Sequence, residues 1–373
     1  MKITGAVLES SGAQRPYAQS RPLNVCELEL ASPGPIEVLV RVQAAGICHS
    51  DLSVINGDRP RPLPMLLGHE AAGIVEQVGS GVTDLNVGDR VVTVFLPRCE
   101  DCANCMTEGK LPCSAGSAAN GSGSLLSGTR AISRDGEEIL HHLGVSGFAT
   151  HAVLDRNSVV RVGQDVPPDV AAVLGCAVLT GGGAVLNAGK PQEGHDIAIV
   201  GLGGVGMAAL LTARAVVSRW KTLGRIIGVD ANPEKLVLAR ELGATDAYTP
   251  GEVEDLKLRA HVVVEAAGHP RAFETAVKMT AAGGTTVIVG LPAPGALSSI
   301  EPLGLTAEAR TIIGSYLGSA VPSRDIPRYE QMWREGKLPV EKLTSSVISL
   351  DQINEAMDSL AEGKAVRQII SFE

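Results

Sequence analysis

Aromatic side chains are scarce in this 373-residue chain: two tryptophans, four tyrosines and four phenylalanines, 3% in all. Its core must therefore be built from aliphatic residues, and 45% of the sequence is hydrophobic. A basic block is also missing. Asp plus Glu number 41 against 32 Lys plus Arg, a net charge of −9, which repels a phosphate backbone and argues against a nucleic-acid binder. No uninterrupted apolar run reaches the roughly eighteen residues of a membrane span; the most apolar region, Ile197–Leu211, is broken by glycines. Residues Met1–Leu30 alternate apolar with polar and lack the charged start and apolar centre of a secretory signal. A soluble, cytoplasmic protein is expected, without membrane or nucleic-acid partners. There is no internal repeat and no low-complexity segment. Cysteine is present but odd in number, at seven, which in a long chain argues for metal binding or catalysis over a disulfide framework.

What is present points to an α/β chain. At roughly 150 residues per domain, two domains are expected. Residues 1 to about 95 read as short strands, with period-two runs at Glu37–Ala44 and Gly73–Val78 separated by turn signals such as Asn56-Gly57-Asp58. Residues 96–150 show weak periodicity, four cysteines and a Gly/Ser-rich stretch from Ser114 to Gly128, an excursion held by something other than a core. Beyond residue 177 the rhythm changes. Strands are expected at Ile197–Val200, Ile226–Val229, His261–Glu265 and Thr286–Val289. Helices from about Val205 to Trp220, Pro233 to Leu242 and Arg271 to Thr280 alternate with them. That alternation predicts a doubly wound parallel sheet. Thr311–Leu317 reads as a further apolar strand. Helices at Asp325–Arg334 and Asp351–Leu360 and a strand at Val366–Phe372 follow.

Two motifs carry chemistry. Gly201, Gly203 and Gly206, with Gly204 and Val205 between them, fit G-x-G-x-x-G directly after a strand and at the start of a helix. Such a turn brings backbone amides and the positive end of a helix against a pyrophosphate. Asp230 ends the next strand, where a carboxylate can accept from both ribose hydroxyls and repel a 2′-phosphate, so NAD is expected over NADP. The second motif is Cys99, Cys102, Cys105 and Cys113, spaced C-x2-C-x2-C-x7-C. Four thiolates can close around one tetrahedral zinc with no open position, a structural site. A four-iron cluster shares the first three spacings, but the fourth cysteine does not fit its usual run. A nucleic-acid zinc ribbon is disfavoured by Glu100, Asp101 and Glu108 beside the cysteines.

Three further residues, Cys48, His69 and Cys176, are too far apart for spacing to join them, and each taken singly reads as a buried thiol or a satisfied histidine. Their surroundings carry more. Gly46-Ile47-Cys48-His49-Ser50-Asp51 and Gly68-His69-Glu70-Ala71-Ala72-Gly73, with Gly79, Val82, the four-cysteine loop, Gly175-Cys176, the glycine turn and Asp230, resemble the zinc-containing medium-chain alcohol dehydrogenases over nearly the whole chain. Residues Gly116–Phe148 resemble the insertion of the dimeric branch, which includes liver-type and glutathione-dependent formaldehyde dehydrogenases.

The resemblance implies a β-rich GroES-like catalytic domain in two parts, 1–177 and 320–373, around a Rossmann domain at 178–319. It implies two zinc ions per chain, NAD, a small alcohol or aldehyde substrate and a homodimer. Cys48, His69 and Cys176 match the catalytic zinc ligands, the donor set for which alcohol dehydrogenase is itself the standard example. Asp51 matches the carboxylate that orients His69, Glu70 a residue behind the zinc, and Ser50 the hydroxyl beside the substrate oxygen. His49 and Arg367 match positions facing the pyrophosphate, Lys235 one near the adenine ribose and Thr180 one near the nicotinamide; Val289 and Leu291 join the cofactor-binding set. The implied reaction moves a hydride between an alcohol and NAD, giving an aldehyde or ketone. Alternatives are an S-(hydroxymethyl)glutathione dehydrogenase, a relative that recycles tightly held NAD, and a non-catalytic, zinc-stabilised NAD-binding regulator. Departures are visible. Ser53 stands where liver-type enzymes place the outer histidine of a proton relay, and His49 where several members have arginine. Arg59 lies in the substrate loop, either as a solvated charge or as a contact for an acidic or polar substrate. Phe95 and Phe148 are each either a pocket wall or plain core.

Overall fold

The computed structural model describes residues 1–372. It divides into two units. The first comprises Met1–Cys176, Val321–Glu330 and the residues from Thr344 onward; the second comprises Ala177–Ala320 and Gln331–Leu343. Segment 331–343 thus groups with the second unit rather than with a continuous return from residue 320.

In the first unit, strands β1 (Lys2–Leu8), β2 (Leu23–Leu30), β3 (Glu37–Ile47), β4 (Met65–Leu66), β5 (Ala71–Val78) and β6 (Arg90–Thr93) precede the cysteine loop. Strands β7 (Ile132–Arg134), β8 (Glu137–His141), β9 (His151–Asp155) and β10 (Val159–Val162) follow it. The second unit supplies β11 (Ile197–Val200), β12 (Ile226–Val229), β13 (Asp246–Tyr248), β14 (Ala260–Glu265), β15 (Thr280–Ile288) and β16 (Thr311–Gly314), and the chain ends with β17 (Thr344–Ile348) and β18 (Arg367–Ser371) in the first unit. Strands β1, β2, β7, β8 and β4 close a barrel. A second sheet runs β10-β6-β5-β3-β18-β17, with β9 also on β3.

The barrel corrects one expectation. Residues 96–150 are not held by metal alone. Leu125, Ala131, Ile132 and Ile139 are buried against Val7, Leu28, Leu30 and Leu66 in one apolar cluster, and the Gly/Ser-rich stretch contains a helix, Ser114–Ser122. The strands here are three and five residues long, too short for period two to show.

The second unit is a six-stranded sheet in the order β13-β12-β11-β14-β15-β16, every pair parallel. Strand order reverses between β11 and β14, the switch point at which doubly wound sheets bind ligands. Buried Ala198, Val200, Ile227, Val229, Val263 and Met279 pack one face. The predicted strand at Thr311–Leu317 stops at Gly314. A tight turn, Tyr316–Ser319, follows, with Leu317 at φ 51°, outside any strand conformation.

One long element escaped the sequence reading. Pro168–Gly189 is helical throughout, 22 residues with mean hydropathy 1.8 over its most apolar window, 89% of which is buried inside the protein. By length and composition it could cross a membrane; its burial identifies a core helix. Apolar on all sides and interrupted by Gly175 and Gly181–Gly183, it shows no helical stripe in the sequence. Two stretches, Leu174–Val178 and Ala184–Gly189, widen to π-helix, a geometry that recurs at functional sites.

Candidate active site

Three local structures bring Cys48, His69 and Cys176 together. Cys48 follows β3 in extended conformation and caps the short helix His49–Ile55. His69 lies in the loop between β4 and β5. Cys176 sits in the first π-turn of the long helix, next to Gly175, where a Cβ would stand 2.0 Å from the carbonyl oxygen of Thr93; only glycine lets this helix lie so close to β6. One donor atom each from Cys48, His69, Glu70 and Cys176 lie within 4.8 Å of one another, all buried. The separation of His69 Nε2 from Cys176 Sγ is 3.5 Å. A tetrahedral zinc with ordinary Zn–N and Zn–S bonds would set about 3.6 Å. Both carboxylate oxygens of Glu70 are buried without a hydrogen bond, and the Arg367 guanidinium supplies the counter-charge at 3.3 Å. The donor set and its spacing fit zinc.

Around this cluster the electrostatics single out Cys48 as the thiolate. The Cys48 thiol is held well below its usual range by the Cys176 thiol and by the positive charges of Arg367 and His69, despite burial. Cys176, beside that thiolate, is pushed up. Burial raises Glu70 to about 7, with Arg367 working the other way. Arg367 is the surprise. Expected at a pyrophosphate, it is only 3% exposed; its guanidinium donates to the Ile47 carbonyl at 2.9 Å and lies 3.3 Å from Glu70. In the structure its guanidinium pairs with the Glu70 carboxylate.

Asp51 is completely buried and organises two ligands at once. One oxygen lies 2.9 Å from His69 Nδ1, so that the ring presents Nε2 to the cluster, and the other accepts the Cys48 amide at 3.0 Å. Such an outer carboxylate fixes the tautomer and orientation of a metal-binding histidine. His142, unremarked in the sequence, brings its Nδ1 to 3.3 Å from the same Asp51 oxygen. Burial works against charge on Asp51, but the two histidines outweigh it and hold its carboxyl below the usual range. Ser50 is half-buried one residue before Asp51, and His49 is exposed at the helix start. Ser53 donates its hydroxyl to the His49 carbonyl at 2.9 Å, a bond within its own helix. Phe95 stands edge-on to His69, centroids 5.4 Å apart, whereas Phe148 is fully buried against Gly68, as plain core. Arg59 is partly exposed in the loop that follows.

The second cysteine group is equally well matched to zinc. Sulfur separations are 3.9 Å for Cys99–Cys105 and 4.0 Å for Cys102–Cys113, against about 3.8 Å for four Zn–S bonds of about 2.3 Å. Cys113 Sγ accepts the amides of Cys99 and Gly116, each at 3.3 Å. Ser114 draws Cys102 down to about 5, while burial and neighbouring sulfurs push Cys105 up to about 12. Four sulfurs at these separations fit a zinc among them.

The glycine turn lies in the second unit. Gly201 has φ 93°, and a Cβ on Gly206 would stand 1.8 Å from the Gly201 carbonyl, so the turn and helix pack backbone to backbone. At Gly203 a Cβ would meet nothing within 4 Å. Gly203 caps the helix Gly204–Val217 without any side-chain hydrogen bond, leaving its first amides for an anion. Asp230 accepts the amides of Leu202 and Asn232 at 2.7 and 2.9 Å. That clamps the turn and leaves lone pairs for a ribose. Thr180 is buried, Lys235 and Val289 are half-exposed and Leu291 is exposed. The residues fit a dinucleotide.

Comparison with known proteins agrees with this geometry. Residues 34–168 match the alcohol dehydrogenase GroES-like domain and residues 204–335 the zinc-binding dehydrogenase domain. An S-(hydroxymethyl)glutathione dehydrogenase of Escherichia coli O1:K1 is 33% identical over 367 residues, covering 95% of this chain and 98% of its own. An alcohol dehydrogenase zinc-binding domain protein from Burkholderia ambifaria superposes with a TM-score of 0.90 at 32% identity, over 100% of this chain and 99% of that one. The benzyl alcohol dehydrogenase of Acinetobacter calcoaceticus does so with 0.89 at 31% identity, over 100% of both.

Proposed function

Because the chain belongs to the zinc-containing alcohol dehydrogenase family, zinc-dependent oxidoreductases that use a nicotinamide cofactor, we propose that it oxidises a small primary alcohol with NAD, through Cys48, His69 and Cys176 as zinc ligands. The observation that supports this most is the buried cluster of two thiols and one imidazole whose donor atoms converge within 4.8 Å. The regulator reading falls with family membership. When bound, the catalytic zinc supplies a Lewis acid that eases loss of the alcohol's proton. The chain supplies the rest. Asp51 holds His69 and the Cys48 backbone in place. Ser50 receives the proton of the substrate hydroxyl as it gives its own hydroxyl proton to water. Glu70 and Arg367 form a buried charge pair behind the ligands. The amides of Gly203, Gly204, Val205 and Gly206 take the pyrophosphate. Asp230 and Lys235 take the adenine ribose, and Thr180, Val289 and Leu291 flank the nicotinamide half. Cys99, Cys102, Cys105 and Cys113 hold a structural zinc.

Two relatives offer substrate readings, one named for a glutathione adduct and one for benzyl alcohol. We favour the free alcohol, which needs no thiol partner. A screen of aliphatic and aromatic alcohols, with and without glutathione and with NAD or NADP, separates these. Turnover of free primary alcohols with NAD, at least about tenfold more efficient than with NADP, is expected, and Asp230→Gly should narrow the margin. Activity confined to formaldehyde plus glutathione would replace the substrate assignment, and equal efficiency with both cofactors would remove Asp230 from its role.

We also propose a cytoplasmic homodimer. The seven cysteines are free, as in a reducing compartment. β16 is an open sheet edge four residues long, which a two-fold copy would pair and hide. Light scattering should give twice the chain mass; a monomer at micromolar concentration would contradict it, and fractionation outside the cytoplasm would remove the placement.

A further inference from the structure

The second unit holds a buried carboxylate that the zinc and hydride chemistry does not use. Glu265 is the last residue of β14, 1% exposed. It lies in register with Val200, the residue before the glycine turn, and with Ile288 at the end of β15. It therefore stands at the switch point, between two loops. Its side-chain partners are backbone amides: Oε1 accepts from Ala267 at 2.9 Å and from Gly268 at 2.7 Å. Its own carbonyl accepts from Val289 and Gly290 at 2.9 and 3.0 Å. Burial pushes its carboxyl up, and neighbouring backbone amides pull it back.

The packing around this anion is close. A Cβ on Gly290 would stand 2.2 Å from the Gly268 amide nitrogen and 2.5 Å from Glu265 Oε2. A Cβ on Gly201 would stand 2.5 Å from the Ala267 nitrogen. Gly268, at φ 66°, lies against the backbone of Leu291. The glycine turn, the 266–268 loop and the 289–291 turn are thus one stacked assembly of backbone, and Glu265 is the group around which the two loops fold.

We propose that Glu265 is a positioning residue for the cofactor: its carboxylate holds the amides of the 266–268 loop while its backbone carbonyl holds those of the 289–291 turn, and together they set the backbone surface on which the dinucleotide lies. The proposal rests on the assignment of Val289 and Leu291 to the cofactor. Glutamine tests it, being nearly the same shape. Its carbonyl oxygen can still serve Ala267 and Gly268, but as a neutral acceptor, which weakens both bonds and loosens the 266–268 loop against the 289–291 turn.

The measurement is NADH affinity of the zinc-loaded full-length protein by fluorescence titration, below the melting temperature. Zinc content and the KM values for NAD and alcohol are measured alongside. Glu265→Gln should weaken NADH binding about tenfold or more and raise the KM for NAD, with two zincs retained and the KM for alcohol within about twofold. Unchanged NADH affinity, even with a lowered melting temperature, would reduce Glu265 to a structural role and overturn the proposal. A parallel Leu291→Glu variant checks the underlying assignment by adding a charge at the cofactor surface. If that variant weakens NADH binding and Glu265→Gln does not, the inference about Glu265 fails alone. If Leu291→Glu changes nothing, the cofactor does not lie along this turn and both fall.

Discussion

Alanine in place of Ser50 should slow hydride transfer in a single turnover by a factor of about 10² to 10⁴, the usual worth of a positioned proton acceptor, while NAD affinity stays nearly constant. Ser50 lies two residues after Cys48 on a helix pinned by the Asp51 carboxylate, and is proposed as the start of the proton path. Ser53 is the natural control. Its hydroxyl is committed to the His49 carbonyl, and Ser53→Ala should leave the transfer rate within about twofold of the parent. Single turnovers are the right readout because slow release of NADH can hide a chemical defect in steady state. Parental rates for Ser50→Ala at every pH would move the start of the proton path elsewhere.

The other large effect is expected at the four-cysteine loop. Cys102→Ser should reduce the zinc content from two per chain to one and lower the melting temperature by roughly 10 °C or more, since a closed zinc site contributes folding energy outright. The loss should be local. Leu125, Ile132 and Ile139 are buried in the barrel independently of the cysteines, and the glycine turn belongs to the other unit, so the protein that survives folded should still bind NADH. A variant with one zinc and the parental melting curve would show that this metal does not stabilise the fold.

How much of this was legible in the sequence depends on distance along the chain. The four cysteines lie within fifteen residues and announce themselves by spacing. The glycine turn does so by its place after a strand. Cys48, His69 and Cys176 could be joined only through resemblance, because 107 residues separate the last two and no periodicity spans such a gap. Asp51 came with them, but His142 did not, since a histidine next to another histidine on β8 carries no pattern. Arg367 was assigned to an anion that resemblance supplied, and the anion it meets in the structure is Glu70. Glu265 was read merely as the end of a strand; its significance lies in four backbone amides, which no residue type encodes. The long helix Pro168–Gly189 was invisible for the opposite reason: buried on all sides, it has no polar face to set its period.

The arrangement of β18 bears on how the molecule is made. This strand pairs with β3, and Arg367 reaches the Ile47 carbonyl across 320 residues of chain. At about 5–20 residues per second, a ribosome needs roughly a quarter of a minute to a minute to deliver Arg367 after Ile47. Over that interval the whole second unit, whose strands are contiguous in sequence but for its last segment, can fold alone, whereas the central sheet of the first unit lacks two of its strands and Glu70 lacks its counter-charge. The unit that is synthesised first is therefore the one completed last. Contacts of such long range make folding slow, and the unpaired edge of β3 is the surface most open to mispairing until the final strand arrives.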